Sequence, residues 1–212
     1  MPILIARTER WLVFNKPAGW LSIPGRQGTR EGDLTLSEWV KKNHGPAWIV
    51  HRLDRETSGV ILFARTAQDH QMANGWFQER RVKKEYDCIA QGVPKAPLFK
   101  ITKAIPGESG SVATQVEIKE SYREGFYGRV RPLSGKRHQI RIHLSGEGFP
   151  LWGDVTYGGS QEISFAGQIF LVNRVALHAA RLELPSGDVF VAEWPEDFKG
   201  WIEKLRAEGS HV

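Results

Sequence analysis

Five consecutive apolar residues, Val60-Ile-Leu-Phe-Ala64, constrain the fold of this chain more than any other feature. The run has the length of a strand, with the polar turn Thr57-Ser58-Gly59 before it and Arg65-Thr66 after it. A strand with no polar side is covered on both faces, so the core is expected to be built around a sheet. Other strand-like segments follow the same grammar. Trp11-Leu-Val-Phe-Asn15 is stopped by Lys16-Pro17-Ala18-Gly19, and the alternating stretch Lys84 to Gly92 is broken by Gly92-Val-Pro-Lys-Ala-Pro97. Further strands are expected at Val116–Glu120, Gly125–Pro132, Arg137–Leu144, Gln168–Leu171 and Val189–Glu193, with a loop over Gly25–Asp33.

Helices are fewer. Thr35 and Glu38 have the spacing of a capping box, and Leu36, Trp39 and Val40 then form an apolar face. Thr66 and Asp69 repeat that spacing ahead of Met72, Ala73, Trp76 and Phe77. Pro195 opens a last amphipathic helix that gathers Phe198, Trp201, Ile202 and Leu205 on one side. Many strands with few helices predict an α+β fold, a mostly antiparallel mixed sheet flanked by helices and loops. No repeat or Ser/Gly linker divides the chain, so residues 1–212 are expected to form a single domain.

Composition narrows the function classes. With 212 residues, 41% of them hydrophobic and including eight Trp and ten Phe, the chain can bury a core. No apolar run is long enough to span a bilayer, and Met1–Trp11 lacks the apolar core of a signal peptide, so a cytoplasmic protein is expected. The lone Cys88 cannot form an internal disulfide and reads as a small buried hydrophobe. A net charge of +5 suits a polyanionic partner without identifying one.

Two segments carry candidate chemistry. In His51-Arg-Leu-Asp-Arg-Glu-Thr-Ser-Gly-Val60, Asp54 stands between two arginines just ahead of the buried strand. Flanking guanidinium groups favour the ionised carboxylate, which can act as a nucleophile. A solvated surface loop with local ion pairs has the same composition. In Gly135-Lys-Arg-His-Gln-Ile-Arg-Ile-His-Leu144, Ile140, Ile142 and Leu144 alternate with Gln139, Arg141 and His143. Read as a strand, this offers one apolar face and one face suited to a phosphate or carboxylate, or simply a polar face turned to solvent. There is no nucleophile elbow, P-loop or metal-ligand spacing, so neither a metal nor a nucleotide cofactor is expected.

The His51–Val60 segment closely resembles the catalytic motif of the RluA-type pseudouridine synthases. The resemblance extends to Asn15-Lys-Pro-Ala-Gly19, Lys84-Glu-Tyr86, Gly135–Leu144, Pro150-Leu-Trp-Gly-Asp-Val-Thr-Tyr-Gly158 and Leu177-His-Ala179, in the family's order. The chain departs from the family's habit at Lys136 and Arg137, where Arg and Thr are frequent, at Arg65, where Lys is common, and at Trp152. The resemblance implies a cofactor-independent isomerase acting on uridine in ribosomal or transfer RNA. Asp54 would be the nucleophile, Arg141 its pairing partner, and Tyr86 the group that lies against the uracil and assists proton removal. It implies base flipping, with Arg52 filling the vacated space, and RNA contacts by His51, Arg55, Lys84, Lys136, Arg137, His138 and Gln139. The basic run Arg80, Arg81, Lys83 and Lys84 suits an RNA backbone or a solvated helix end equally well. The expectation is of a catalytic domain alone, monomeric, with no separate N-terminal RNA-binding domain. Two other readings carry weight. One is a non-catalytic RNA-binding protein on the same fold. The other is a glycosidase using Asp54 with Glu56 or Asp154 as a second carboxylate.

Overall fold

The computed structural model describes residues 1–25, 32–110, 112–165 and 168–208. The middle of the expected Gly25–Asp33 loop, residues 26–31, lies outside the described residues. The chain divides into two compact units, one of residues 1–84 and 179–193, the other of residues 85–178 and 194 onward.

The first unit is organised around the apolar run Val60–Ala64. It forms strand β4 (Ser58–Ala64), buried along its whole length. β4 pairs antiparallel with β2 (Trp11–Lys16), which in turn pairs with β1 (Ile3–Arg7). The two-residue β3 (Trp48–Ile49) also pairs with β4. β11 (Leu177–Glu183) lies beside β4 and carries β12 (Val189–Val191). Helix α1 (Leu36–His44) buries Leu36 and Val40, as its periodicity requires. The Thr35–Glu38 capping box does not form: Thr35 is the N-cap residue, but its side chain makes no cap hydrogen bond. Helix α2 (Ala67–Gln78) is capped by Thr66, whose Oγ1 accepts from Asp69 N at 3.0 Å. The core joins Trp11, Val13, Val60, Leu62 and Ala73 with Leu182 and Phe190.

The second unit holds an antiparallel meander in the order β5-β8-β7-β6, with β5 (Lys83–Gln91) continuing into it from Glu85. The other strands are β6 (Leu98–Ile101), β7 (Thr114–Tyr122) and β8 (Gly125–Pro132). Side chains alternate across this sheet. Cys88, Ala90, Phe126 and Val130 join one cluster, while Ile89 and Tyr127 join another with Phe198, Trp201, Ile202 and Leu205 of α4 (Glu196–Glu208). A separate two-stranded sheet pairs β9 (Glu162–Phe165) antiparallel with β10 (Gln168–Leu171).

The expected strand over Arg137–Leu144 is a helix, α3 (Gln139–Gly146). Ile140 and Leu144, four residues apart, pack into the cluster of Cys88 and Phe126. The alternating polar residues are buried rather than turned to solvent: Gln139 is 3% exposed, Arg141 7% and His143 1%. A short run of alternating residues satisfies both periodicities, and tertiary packing decides between them. Among the described residues no helix is long and apolar enough to cross a membrane.

Candidate active site

Asp54 sits at the start of a tight turn in which Thr57 N donates to its carbonyl at 3.1 Å, immediately before β4. The turn is clamped from both sides by the segment that follows β2. Ser22 Oγ donates to Leu53 O at 2.8 Å and accepts from Leu53 N at 3.0 Å. Gly19 N donates to Arg55 O at 2.8 Å. Lys16 is fully buried, and its ammonium donates to the carbonyls of Pro17, Trp20 and Arg55 at 3.0, 2.9 and 3.2 Å. A buried lysine is tolerated when its donors are met, and here they bind the Asn15–Gly19 segment to the Asp54 turn. Gly59 completes the turn at φ 118, where an added Cβ would collide with the backbone of Ala179. The result is a half-buried carboxylate on a backbone with little freedom to move.

The neighbours of Asp54 divide by environment. Arg52 is exposed. Arg55 pairs with Asp33 at 3.0 Å and donates from Nε to Gly19 O at 3.2 Å, so its charge also serves the clamp. His51 is turned inward: Nε2 accepts from Leu62 N at 3.1 Å and the ring stacks on Phe77 with centroids 4.9 Å apart. Burial, then the Lys84 charge, pushes His51 down to about 3, so it is a neutral structural acceptor at pH 7. Lys84 is pushed down to about 8 by burial and by the charge of Arg80. Arg81 and Lys83 pair with Glu79 and Glu183 at 3.2 and 2.6 Å.

In the second unit, Tyr86 opposes Val130 on β5 and packs against the cluster containing Ile140 and Leu144 of α3. Tyr86 and α3 therefore share one face of the meander. Arg141 projects from α3 into a buried bidentate ion pair, Nε to Asp154 Oδ2 and Nη2 to Asp154 Oδ1, both at 2.7 Å. Its guanidinium carbon lies 5.0 Å from the Tyr157 ring centroid. Asp154, which the sequence offered only as a second glycosidase carboxylate, is thus bound to a guanidinium.

The loop ahead of α3 places the remaining candidates. Gln139 spends its whole amide internally. Oε1 accepts from Ser134 Oγ at 2.7 Å and Lys136 N at 3.1 Å, and Nε2 donates to Ala113 O at 2.9 Å and Thr114 Oγ1 at 3.0 Å. Lys136 pairs with Glu108 at 2.8 Å, Arg137 is exposed, and His138 adopts φ 52 with Nδ1 2.9 Å from Tyr157 Oη. His143 is held between Thr114 Oγ1 at 2.8 Å and Lys103 O at 2.9 Å. Sequence reasoning missed Lys16, Ser22 and Tyr157 as individual residues. Lys16 and Tyr157 were signalled only by membership in the Asn15–Gly19 and Pro150–Gly158 segments, and Ser22 by nothing in the sequence.

Comparison with known proteins places this arrangement. Residues 10–146, which include the Asp54 turn, Tyr86 and Arg141, match the family model described as RNA pseudouridylate synthase. Ribosomal large subunit pseudouridine synthase D of Pseudomonas aeruginosa is 33% identical over 97% of the chain and 72% of its own length. The dual-specificity RNA pseudouridine synthase RluA of Salmonella typhi is 29% identical over 92% of the chain and 94% of its own length. Ribosomal large subunit pseudouridine synthase C of Vibrio parahaemolyticus is 30% identical over 92% of the chain, which spans only 64% of that relative. Among solved structures, human RNA pseudouridylate synthase domain containing 4 superposes with a TM-score of 0.78 at 24% identity, covering 96% of this chain and 93% of that one. Its fold is therefore the α+β pseudouridine synthase fold, and the chain belongs to the RluA-type RNA pseudouridylate synthases, a family of isomerases.

Proposed function

We propose that this chain converts selected uridines of ribosomal or transfer RNA to pseudouridine, as a cytoplasmic monomer, with Asp54 as nucleophile. The observation that carries the reading is the clamp on Asp54. A catalytic carboxylate works from a fixed position, and Lys16, Ser22 and Gly19 hold the backbone on both sides of it. A solvated loop has no use for a buried lysine beneath it.

The target nucleotide leaves its stack to reach the carboxylate, at a cost of a few kcal/mol. Arg52 fills the space it leaves, its plane suited both to stacking and to phosphate. Asp54 attacks the nucleoside and the N-glycosidic bond breaks. The uracil turns and rejoins the ribose through carbon 5 as the bond to Asp54 breaks and frees the carboxylate; carbon 5 gives up its proton and N1 takes one up, so the product is an isomer. Arg141 serves as the partner that orients Asp54. Tyr86 lies against the uracil and assists the proton's removal. No step requires a cofactor. Exposed Arg52 and Arg137, with Arg55, Lys84, Lys136 and His138, supply contacts to the RNA backbone. His51 and Gln139 support those contacts from beneath, since their polar atoms are engaged within the protein.

Pseudouridine mapping of total RNA from cells with and without the gene, complemented by wild type or Asp54→Asn, tests the reading. A discrete site should vanish on deletion and return with wild type only. A site restored equally by Asp54→Asn would overturn it. Unchanged modification at every site, with binding to RNA retained, would favour the non-catalytic RNA-binding reading.

A further inference from the structure

The connection from β6 to β7 has no role in the mechanism above, yet its described residues are anchored along α3, all within the second unit. His143 Nε2 lies 2.9 Å from Lys103 O, and Lys103 Nζ donates to Gly146 O at 2.7 Å and pairs with Glu147 at 2.9 Å. Ile105 and Val112 are buried, and Gln139 Nε2 donates to Ala113 O at 2.9 Å. Beyond Ile105 the chain turns, with Glu108 N donating to Ile105 O at 3.0 Å. That turn brings the Glu108 carboxylate to Lys136 Nζ at 2.8 Å, in the loop ahead of α3.

We propose that Glu108 is a specificity-determining residue that limits the sequence-independent part of RNA binding by covering Lys136. The inference rests on the reading of Lys136 as an RNA contact. Lys136 and Arg137 are neighbours in one loop, but they are presented differently. Arg137 is exposed and makes no ion pair among the described residues, whereas the Lys136 ammonium is matched by a carboxylate. A phosphate that reaches Lys136 meets Glu108 too, and either displaces the carboxylate or is repelled by it. Each uncovered cation that binds phosphate adds affinity for RNA of any sequence through counterion release, and a cation already neutralised adds little. Glu108 thus weakens the hold on RNA bound by charge alone, the binding that competes with substrate. Stability does not require the pair. The two side chains are 31% and 26% exposed, a setting in which an ion pair contributes little. Ile105, Val112 and the bonds of His143 and Gln139 fix the connection without it.

The same connection contains an internal control. Lys103 pairs with Glu147, the residue that follows the other end of α3. A helix of eight residues is about 12 Å long, more than the Debye length of about 8 Å at about 0.15 M salt, so the two pairs act on different stretches of surface. Neutralising Glu147 changes the net charge as much as neutralising Glu108 and leaves Lys136 covered.

The test is the affinity of the full chain for oligo(A) RNA of about 20 nucleotides, titrated between about 0.05 and 0.2 M salt. Oligo(A) contains no uridine and so reports the charge component alone. Glu108→Gln keeps the shape and removes the charge. It should steepen the dependence of log K on log salt by about 0.7, the share of one phosphate in a single strand, and tighten binding about threefold or more at the low-salt end. Adding Lys136→Gln should return the slope to the wild-type value, because a neutral pair replaces a neutralised one. Glu147→Gln should bind within about twofold of wild type at about 0.15 M salt, and the Tm of Glu108→Gln should stay within about 2 °C of wild type. Wild-type affinity and slope in Glu108→Gln, with weaker binding once Lys136→Gln is added, would overturn the proposal, as would equal tightening in Glu147→Gln. A much lower Tm in Glu108→Gln with unchanged affinity would make the pair a strut of the fold and overturn it too. Identical binding by wild type, Glu108→Gln and the double variant would instead remove Lys136 from the RNA interface, the reading on which the proposal rests.

Discussion

The ammonium of Lys16 and the carbonyl of Arg55 meet at 3.2 Å beneath the Asp54 turn, joining the end of β2 to the residue that follows Asp54. The contact makes the Asn15–Gly19 segment part of the scaffold of the proposed active site, although none of its side chains is assigned to the chemistry.

Replacing Lys16 with Met should therefore damage more than stability. Three carbonyls, one buried and two partly buried, lose their donor, a change that costs about 3 kcal/mol. Urea unfolding should show that loss. The rate per folded molecule should also fall, because the Asp54 turn is released on one side. Full activity in the folded fraction would mean that Ser22 and Gly19 hold the turn unaided.

Gly59 faces a different constraint. Its φ of 118 and the backbone of Ala179 leave no room for a side chain. Gly59→Ala should destabilise the first unit by about 3 kcal/mol or more, seen as loss of soluble protein or a large fall in Tm. A wild-type melting curve would show that β4 and β11 can separate locally at little cost.

The buried His51 gives the protein an acid-sensitive component of stability. In the unfolded chain it takes up a proton near its ordinary 6.5, whereas in the folded protein burial and the Lys84 charge hold it down to about 3. The unfolded state thus binds more protons across that window. The histidine's contribution is fully present above 6.5 and is lost as pH falls toward 3, with a slope of up to about 1.4 kcal/mol per pH unit. His51→Gln removes this titration, so its stability should depend less on pH over that range. Identical slopes in urea unfolding of the two proteins would refute the assignment.

Gln139 distinguishes a loop clamp from an RNA contact. Gln139→Leu removes the four hydrogen bonds to Ser134 Oγ, Lys136 N, Ala113 O and Thr114 Oγ1, at an expected cost of about 3 kcal/mol. RNA affinity measured well below the lowered Tm should change little. A large loss of affinity without loss of stability would restore the amide to the RNA interface.

What the sequence revealed follows from how local each signal is. β4, β8 and β10 were legible because apolar runs and Gly or Pro boundaries are local. β1 and β6 were missed because each mixes exposed apolar with polar residues: Ile3 is 65% exposed and Leu98 63%. α3 was misread because its polar residues are buried against Thr114, Ala113 and Asp154, distant partners that no periodicity reports. The Asp54 turn was found through its motif. Its clamp and the Asp154 pair required contacts spanning tens of residues, which only the folded chain brings together.

The central claim is that Asp54 performs the chemistry. It is tested most directly by purified Asp54→Asn assayed for isomerisation on an RNA that the wild-type protein modifies. The substitution removes the charge and keeps the shape, so folding and RNA affinity should remain near wild type while pseudouridine formation falls to background, a loss of at least about 10⁴-fold. Turnover by Asp54→Asn within about tenfold of wild type would contradict the account, because a neutral amide cannot supply the nucleophile.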